Sequence, residues 1–195
     1  MGAACGKGGK IRDLLTAAKS ELQLERYEKA KELCDEALKY EKDNGTAHYL
    51  KGLALHYMGK YKKAISSFEK TIEQFPAWRN ALLNKAIALY SIQKHKDAIK
   101  CCDSAIKVDS SYALAYYQKG LSLQALGKLD DAIESYDRAL DLDPDLESAE
   151  IAREEAEDEL EELEDEDDQL TNIDDRASRG TLKLKLYFSS FVLTI

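Results

Sequence analysis

Three groups of residues in this chain carry conventional reactive chemistry: three histidines, four cysteines and a glycine-rich leader. His48 and His56 lie eight residues apart, about 80° around a helix at 100° per residue, and no carboxylate or cysteine on that face completes a metal site. With His95 they read as packing or groove histidines, and no metal is expected. Cys34 and Cys102 sit at equivalent places in an internal repeat and read as small buried hydrophobes, with Cys101 nearer the surface. No CxxC pair occurs, and no nucleophile stands at a useful spacing from a base. The stretch from Gly2 to Lys7 has three intervening residues where a phosphate loop needs four. It also lacks a following Ser or Thr and a preceding strand. These residues therefore point away from an enzyme and call for no cofactor.

The elements that would carry any site are helical. The chain has 195 residues, 44% of them hydrophobic, which is enough to bury a core. Ten Gly and two Pro, among abundant Ala, Leu, Glu and Lys, suit helices and disfavour sheet-rich classes. The net charge of −9 is concentrated at one end: residues 147–195 hold 16 acidic and 5 basic residues. What precedes them is close to neutral, so no basic footprint for nucleic acid exists and none is expected as a partner. Cysteine spacing without disulfide or secretory-signal character predicts a cytoplasmic setting, and no run of 18 apolar residues predicts a membrane span.

A 34-residue register runs four times without a gap, through 11–44, 45–78, 79–112 and 113–146. The eighth place holds Ala18, Gly52, Ala86 and Gly120. The twentieth holds Ala30, Ala64, Ala98 and Ala132, and four residues later stand Cys34, Phe68, Cys102 and Tyr136. Apolar residues recur at three and four within each half, as in Leu82, Ala86 and Leu89, so each unit is two amphipathic helices. Small residues where the helices cross let the backbones approach. Gly59 and Gly127 suit the left-handed ends of the first helices, and Pro76 and Pro144 close the second and fourth units.

This pattern resembles the tetratricopeptide repeat family over 11–146, best in the second and fourth units. Lys42 and Ser110 stand where the family has Pro, and Leu14, His48, Leu82 and Tyr116 where its first helix has Trp. The resemblance implies an all-α solenoid of helix-turn-helix repeats, capped at its C-terminal end by 147–163, where Ala149, Ala152, Ala156 and Leu160 keep the helical period against acidic faces.

It also implies a concave groove lined by the first helix of each unit, with Leu15, Lys19, Tyr49, Leu53, His56, Tyr57, Leu83, Asn84, Ile87, Tyr90, Tyr117 and Leu121 as the partner-binding surface. The expected function is a scaffold or adaptor holding a segment of another protein there. Asn84 resembles the family's groove Asn that hydrogen-bonds a peptide backbone. Chaperone-binding members clamp a terminal carboxylate with several Lys, Arg and Asn; the matching places here, Leu15, Lys19, Leu50, Asn80 and Asn84, do not complete that clamp. An apolar helical or extended segment fits better.

Several further expectations concern the ends and outer face. Residues 1–10 read as a flexible leader that resembles the start of lipid-anchored proteins, with Gly2 open to myristoylation after loss of Met1 and Cys5 to palmitoylation, although Gly6 departs from the stricter motif. The apolar edge before Ile11 offers a second class of function, self-association into a homodimer. Lys60, Lys62, Lys63, Lys94, Lys96 and Lys100 form a solvated outer face. The tail 164–195 begins with the wholly acidic run from Glu164 to Asp168 and reads as disordered; the acidic stretch from Glu157 to Asp168 reads as a solubilising tail, with weak, salt-sensitive contacts to the basic surface as the alternative. The alternation of Leu182, Leu184 and Leu186 with Thr181, Lys183 and Lys185 suits a strand, with no partner strand to receive it.

Overall fold

A computed structural model describes residues 2–164, with side chains from Gly6 onward. The expectations placed on the tail, and on the Cys5 side chain, lie outside these residues. The helices are α1 (Gly2–Gln23), α2 (Tyr27–Tyr40), α3 (Gly45–Tyr57), α4 (Tyr61–Gln74), α5 (Arg79–Tyr90), α6 (His95–Val108), α7 (Ala113–Gln124) and α8 (Leu129–Leu142), followed by α9 (147–164). The expected all-α solenoid is what forms. Helix α1 extends back through the stretch read as a leader, and Lys10 meets the partner helix α2, its ammonium 3.6 Å from Glu36 and 5.0 Å from the Tyr40 ring.

Each helix packs on the next in sequence, and α1 also touches α3, α3 touches α5, and α5 touches α7. The second helices α2, α4, α6 and α8 make no such contacts with one another among the described residues. The first helices therefore form the inner layer and the second helices the outer one. Within each unit a small residue meets a matched larger one: Gly52 faces the Phe68 ring and Gly120 the Tyr136 ring so closely that a Cβ would stand 2.5 Å and 2.4 Å from them. Units one and three pair Ala18 and Ala86 with Cys34 and Cys102, all fully buried. The occupants differ: a larger residue on the first helix goes with a smaller one on the second, so the crossing stays close-packed without a clash.

Between units, a cation at the seventh place bridges to an acid on the preceding second helix: Lys51 to Asp35 at 2.6 Å, Lys85 to Glu69 at 3.0 Å, Lys119 to Asp103 at 2.8 Å, and Arg153 to Asp137 at 3.4 Å. Burial acts to raise the Asp35 carboxyl, but hydrogen bonds from Lys31 and Lys51 outweigh it and hold the group below its ordinary value. The last bridge belongs to α9, whose Ala152 and Ala156 also join Tyr136 and Leu129 in one cluster, so α9 caps the solenoid as expected.

The turn inside each unit places its fifteenth residue in left-handed backbone: Glu25 (φ 58°), Gly59 (71°), Gln93 (60°) and Gly127 (68°). The next amide closes back on the first helix each time, as Lys60 N to Leu55 O at 2.8 Å and Lys94 N to Leu89 O at 2.9 Å. Glycine adopts this conformation freely, whereas Gln93 holds it against a Cβ clash. Gln93→Gly should consequently raise stability by about 0.5–1 kcal/mol, read as a higher midpoint in urea at unchanged slope.

Candidate groove on the first helices

The inner layer brings Leu15, Lys19 and Tyr49 together around a cavity of about 750 Å³ between α1, α3 and the α4–α5 link, where Leu50 and Trp78 also line it. Arg12 and Lys19 stand on its rim, both exposed, with Glu41 opposite in charge. Trp78 was not anticipated. Its ring stacks on Tyr49 with centroids 4.6 Å apart and meets Phe75 edge-on at 5.6 Å. Phe75 is 47% exposed and, with Pro76, Thr46 and Trp78, lines a second hollow of about 590 Å³. Thr46 and Trp78 line both hollows, which therefore adjoin.

Polar groups hold this surface in place. Asn84 donates through Nδ2 to the Tyr49 hydroxyl (3.1 Å) and to the Asn80 carbonyl (2.8 Å), so the amide expected to read a peptide backbone positions Tyr49. The Asn80 side-chain oxygen accepts from the Tyr112 hydroxyl at 3.0 Å, and Arg79 lies over the Tyr112 ring. Burial raises the Tyr49 phenol, which stays neutral, as an aromatic wall should. Leu50 is buried as well. Of the places where a carboxylate clamp would be built, Asn80 and Asn84 are engaged internally and Leu15 and Leu50 are apolar, which leaves Lys19.

The remaining candidates separate by depth. Leu83 is only 6% exposed and packs in the interior, and Leu53 bridges the cores of the first two units. Tyr117 leans on Tyr136 at 6.1 Å, with Leu121 in the same cluster, and Ile87 is half-buried. Tyr57, 61% exposed, stacks on Tyr27 of α2 at 5.0 Å on the turn edge of the solenoid. His56 presents its ring to Tyr57 and Tyr61, and Tyr90 meets His95 at 5.0 Å on the same edge. Burial lowers the His56 imidazole, and its Nδ1 has no hydrogen-bond partner among the described residues.

Burial also pushes the Cys34 thiol up to about 12 and raises Cys102 further, so both remain thiols at neutral pH. Among the described residues no group of three His, Cys, Asp or Glu is placed to hold a metal, and no helix is long and apolar enough to cross a membrane.

Family models for the tetratricopeptide repeat match residues 15–77, 56–113 and 113–146. The chain is a tetratricopeptide repeat protein. Tetratricopeptide solenoids are in general protein-interaction scaffolds. Solved structures agree on the fold: the first repeat domain of Spaghetti (RPAP3) bound to an HSP90 peptide, SRMEEVD, is 28% identical, with a TM-score of 0.58, over 60% of this chain and 92% of that one. The first such domain of human RPAP3 is also 28% identical, with a TM-score of 0.60, covering 62% and 95%. MamA from Desulfovibrio magneticus RS-1 is 23% identical, with a TM-score of 0.67, over 80% and 94%. No curated protein matches the sequence.

Proposed function

We propose that this tetratricopeptide protein is a non-catalytic adaptor whose inner face holds an apolar segment of another protein, anchored between Leu15, Tyr49 and Trp78. The observation that carries this reading is the pair of adjoining hollows over α1, α3 and the α4–α5 link, with Arg12 and Lys19 at the rim of the first and the Tyr49 hydroxyl already paired with Asn84. The neighbour bound to the HSP90 peptide SRMEEVD is a similar solenoid that holds a short peptide, which supports this reading. An acidic, carboxylate-read peptide fits this groove poorly, because Leu15 and Leu50 replace two places of the clamp and Asn80 and Asn84 are engaged internally. Aromatic anchors with a polar rim are the usual composition of an interface centre.

Thr46 is exposed and lines both hollows without supporting the core. Thr46→Glu places a charge in the path of an apolar ligand and leaves the helix packing alone. Peptides selected against the full chain from a random display library should bind Thr46→Glu about tenfold more weakly, with an unchanged melting curve. Unchanged affinity in the folded variant would remove the groove assignment.

A further inference from the structure

The inner face has a polarity that runs along the whole solenoid. Its ninth places read Lys19, Leu53, Ile87, Leu121 and Glu155 from α1 to α9, and its fifth places read Leu15, Tyr49, Leu83, Tyr117 and Ile151. A basic end, an aliphatic centre and an acidic end therefore follow one another. The acidic end is reinforced on α9 by Asp158 and by Glu159, which accepts from Gln124 of α7 at 3.3 Å. The chain continues for 31 residues past α9. After an acidic stretch it becomes apolar from Leu182 onward, with Phe188, Phe191 and Leu193 among its side chains and Lys183 and Lys185 at its start.

We infer that residues 181–195 dock in the inner groove of their own chain, with Lys183 and Lys185 among Glu155, Asp158 and Glu159 and the apolar side chains over Leu121 and Ile87 toward Leu53. This rests on the groove reading above. Three physical matches support it. Extended backbone advances at most about 3.3–3.6 Å per residue, so the 165–180 link reaches ~50 Å and returns from the end of α9 to the groove without difficulty. Packed helices lie 8–10 Å apart, so five first helices span about 40 Å, close to the ~40 Å that the stretch from Lys183 onward covers when extended. Alternation of Leu182, Leu184 and Leu186 with the lysines puts the leucines on one face, which the groove receives, and the lysines on the other, from which their long flexible stems reach round to the exposed carboxylates of α9. The segment's alternative is to expose that apolar surface to water, at about 25 cal/mol per Å².

Tethering supplies an effective concentration near millimolar, so even a weak contact fills the groove much of the time. Because the extended segment is long enough to span all five first helices, its last residues overlap the hollow at Leu15, Tyr49 and Trp78, and an incoming partner must displace them there, which lowers the apparent affinity of the site.

The test uses the full chain with Phe188 replaced by the photoreactive residue p-benzoylphenylalanine. Illumination of the monomer should give intramolecular links to the inner faces of α5 and α7. Glu155→Lys with Asp158→Lys, both exposed positions, should cut the yield about threefold to tenfold, and adding Lys183→Glu with Lys185→Glu should restore it. Links confined to the second helices, links only between chains, or a yield indifferent to both charge reversals would overturn self-docking. If that happens while Thr46→Glu still weakens the selected peptides, self-docking falls and the groove reading stands. If Thr46→Glu is also without effect, both fall.

Discussion

Gly52→Ala should destabilise the solenoid by about 2–3 kcal/mol and lower its midpoint of thermal unfolding by about 5–10 °C. Helix propensity alone predicts the opposite sign, because Ala is favoured over Gly by about 1 kcal/mol inside a helix. The packing decides. A Cβ at Gly52 would stand 2.5 Å from Phe68 Cε1 and 2.7 Å from Cδ1, and the Phe68 ring is fully buried, so neighbouring core atoms must shift to relieve the clash. Gly120 repeats the geometry against Tyr136, whose hydroxyl is also held by Gln124 Oε1 at 2.8 Å, so Gly120→Ala should cost at least as much. Units one and three solve the same contact with Ala and Cys. Gly52→Ala combined with Phe68→Cys imports that solution, and the double variant should be at least 1 kcal/mol more stable than the sum of the two single effects. A strictly additive result, measured in urea, would show that the pairs are independent choices.

The second large effect concerns binding. Trp78→Ala should weaken the selected peptides by about 2 kcal/mol, roughly thirtyfold in Kd, while Trp78→Phe should recover most of the loss. Trp78 lies on the boundary of both hollows and is held by Tyr49 and Phe75 before any ligand arrives, so its ordering cost is met in the free protein. Loss of the stack should also cost about 1 kcal/mol of stability. Recovery by Phe separates an aromatic platform from an indole N–H donor, since Phe supplies only the first. A Phe variant as weak as the Ala variant would move the account toward a hydrogen bond.

The repeat register, the small residues at the crossings and the acidic capping helix were all legible from residue type and spacing, because the same helix-pair contact recurs in every unit and imposes the same size constraint each time. The ion pairs from Lys51, Lys85, Lys119 and Arg153 to the preceding second helix follow the same period and could have been found by lining up charge as well as apolarity. Of the residues read as lining a groove, those nearest α1 are the ones that share a hollow. Leu15, Lys19 and Tyr49 do converge, but exposure at the fifth and ninth places depends on how closely the next unit approaches: Leu83 shares its register with Leu15 and is nevertheless buried. Trp78 escaped notice because it occupies the last place of its unit, in a link, where periodicity carries no information about direction. Asn84 has the residue type of a ligand reader, yet its donors are engaged by Tyr49 and Asn80, a long-range pairing that spacing within a unit does not reveal.

The most direct test of the central claim is the footprint of a bound segment. A selected peptide carrying one photoreactive residue, illuminated on the full chain and mapped by mass spectrometry, should link to the inner surface around Leu15, Thr46, Tyr49 and Trp78. Links that fall on the outer helices instead, around Lys62, Lys96 and Lys100, would contradict it.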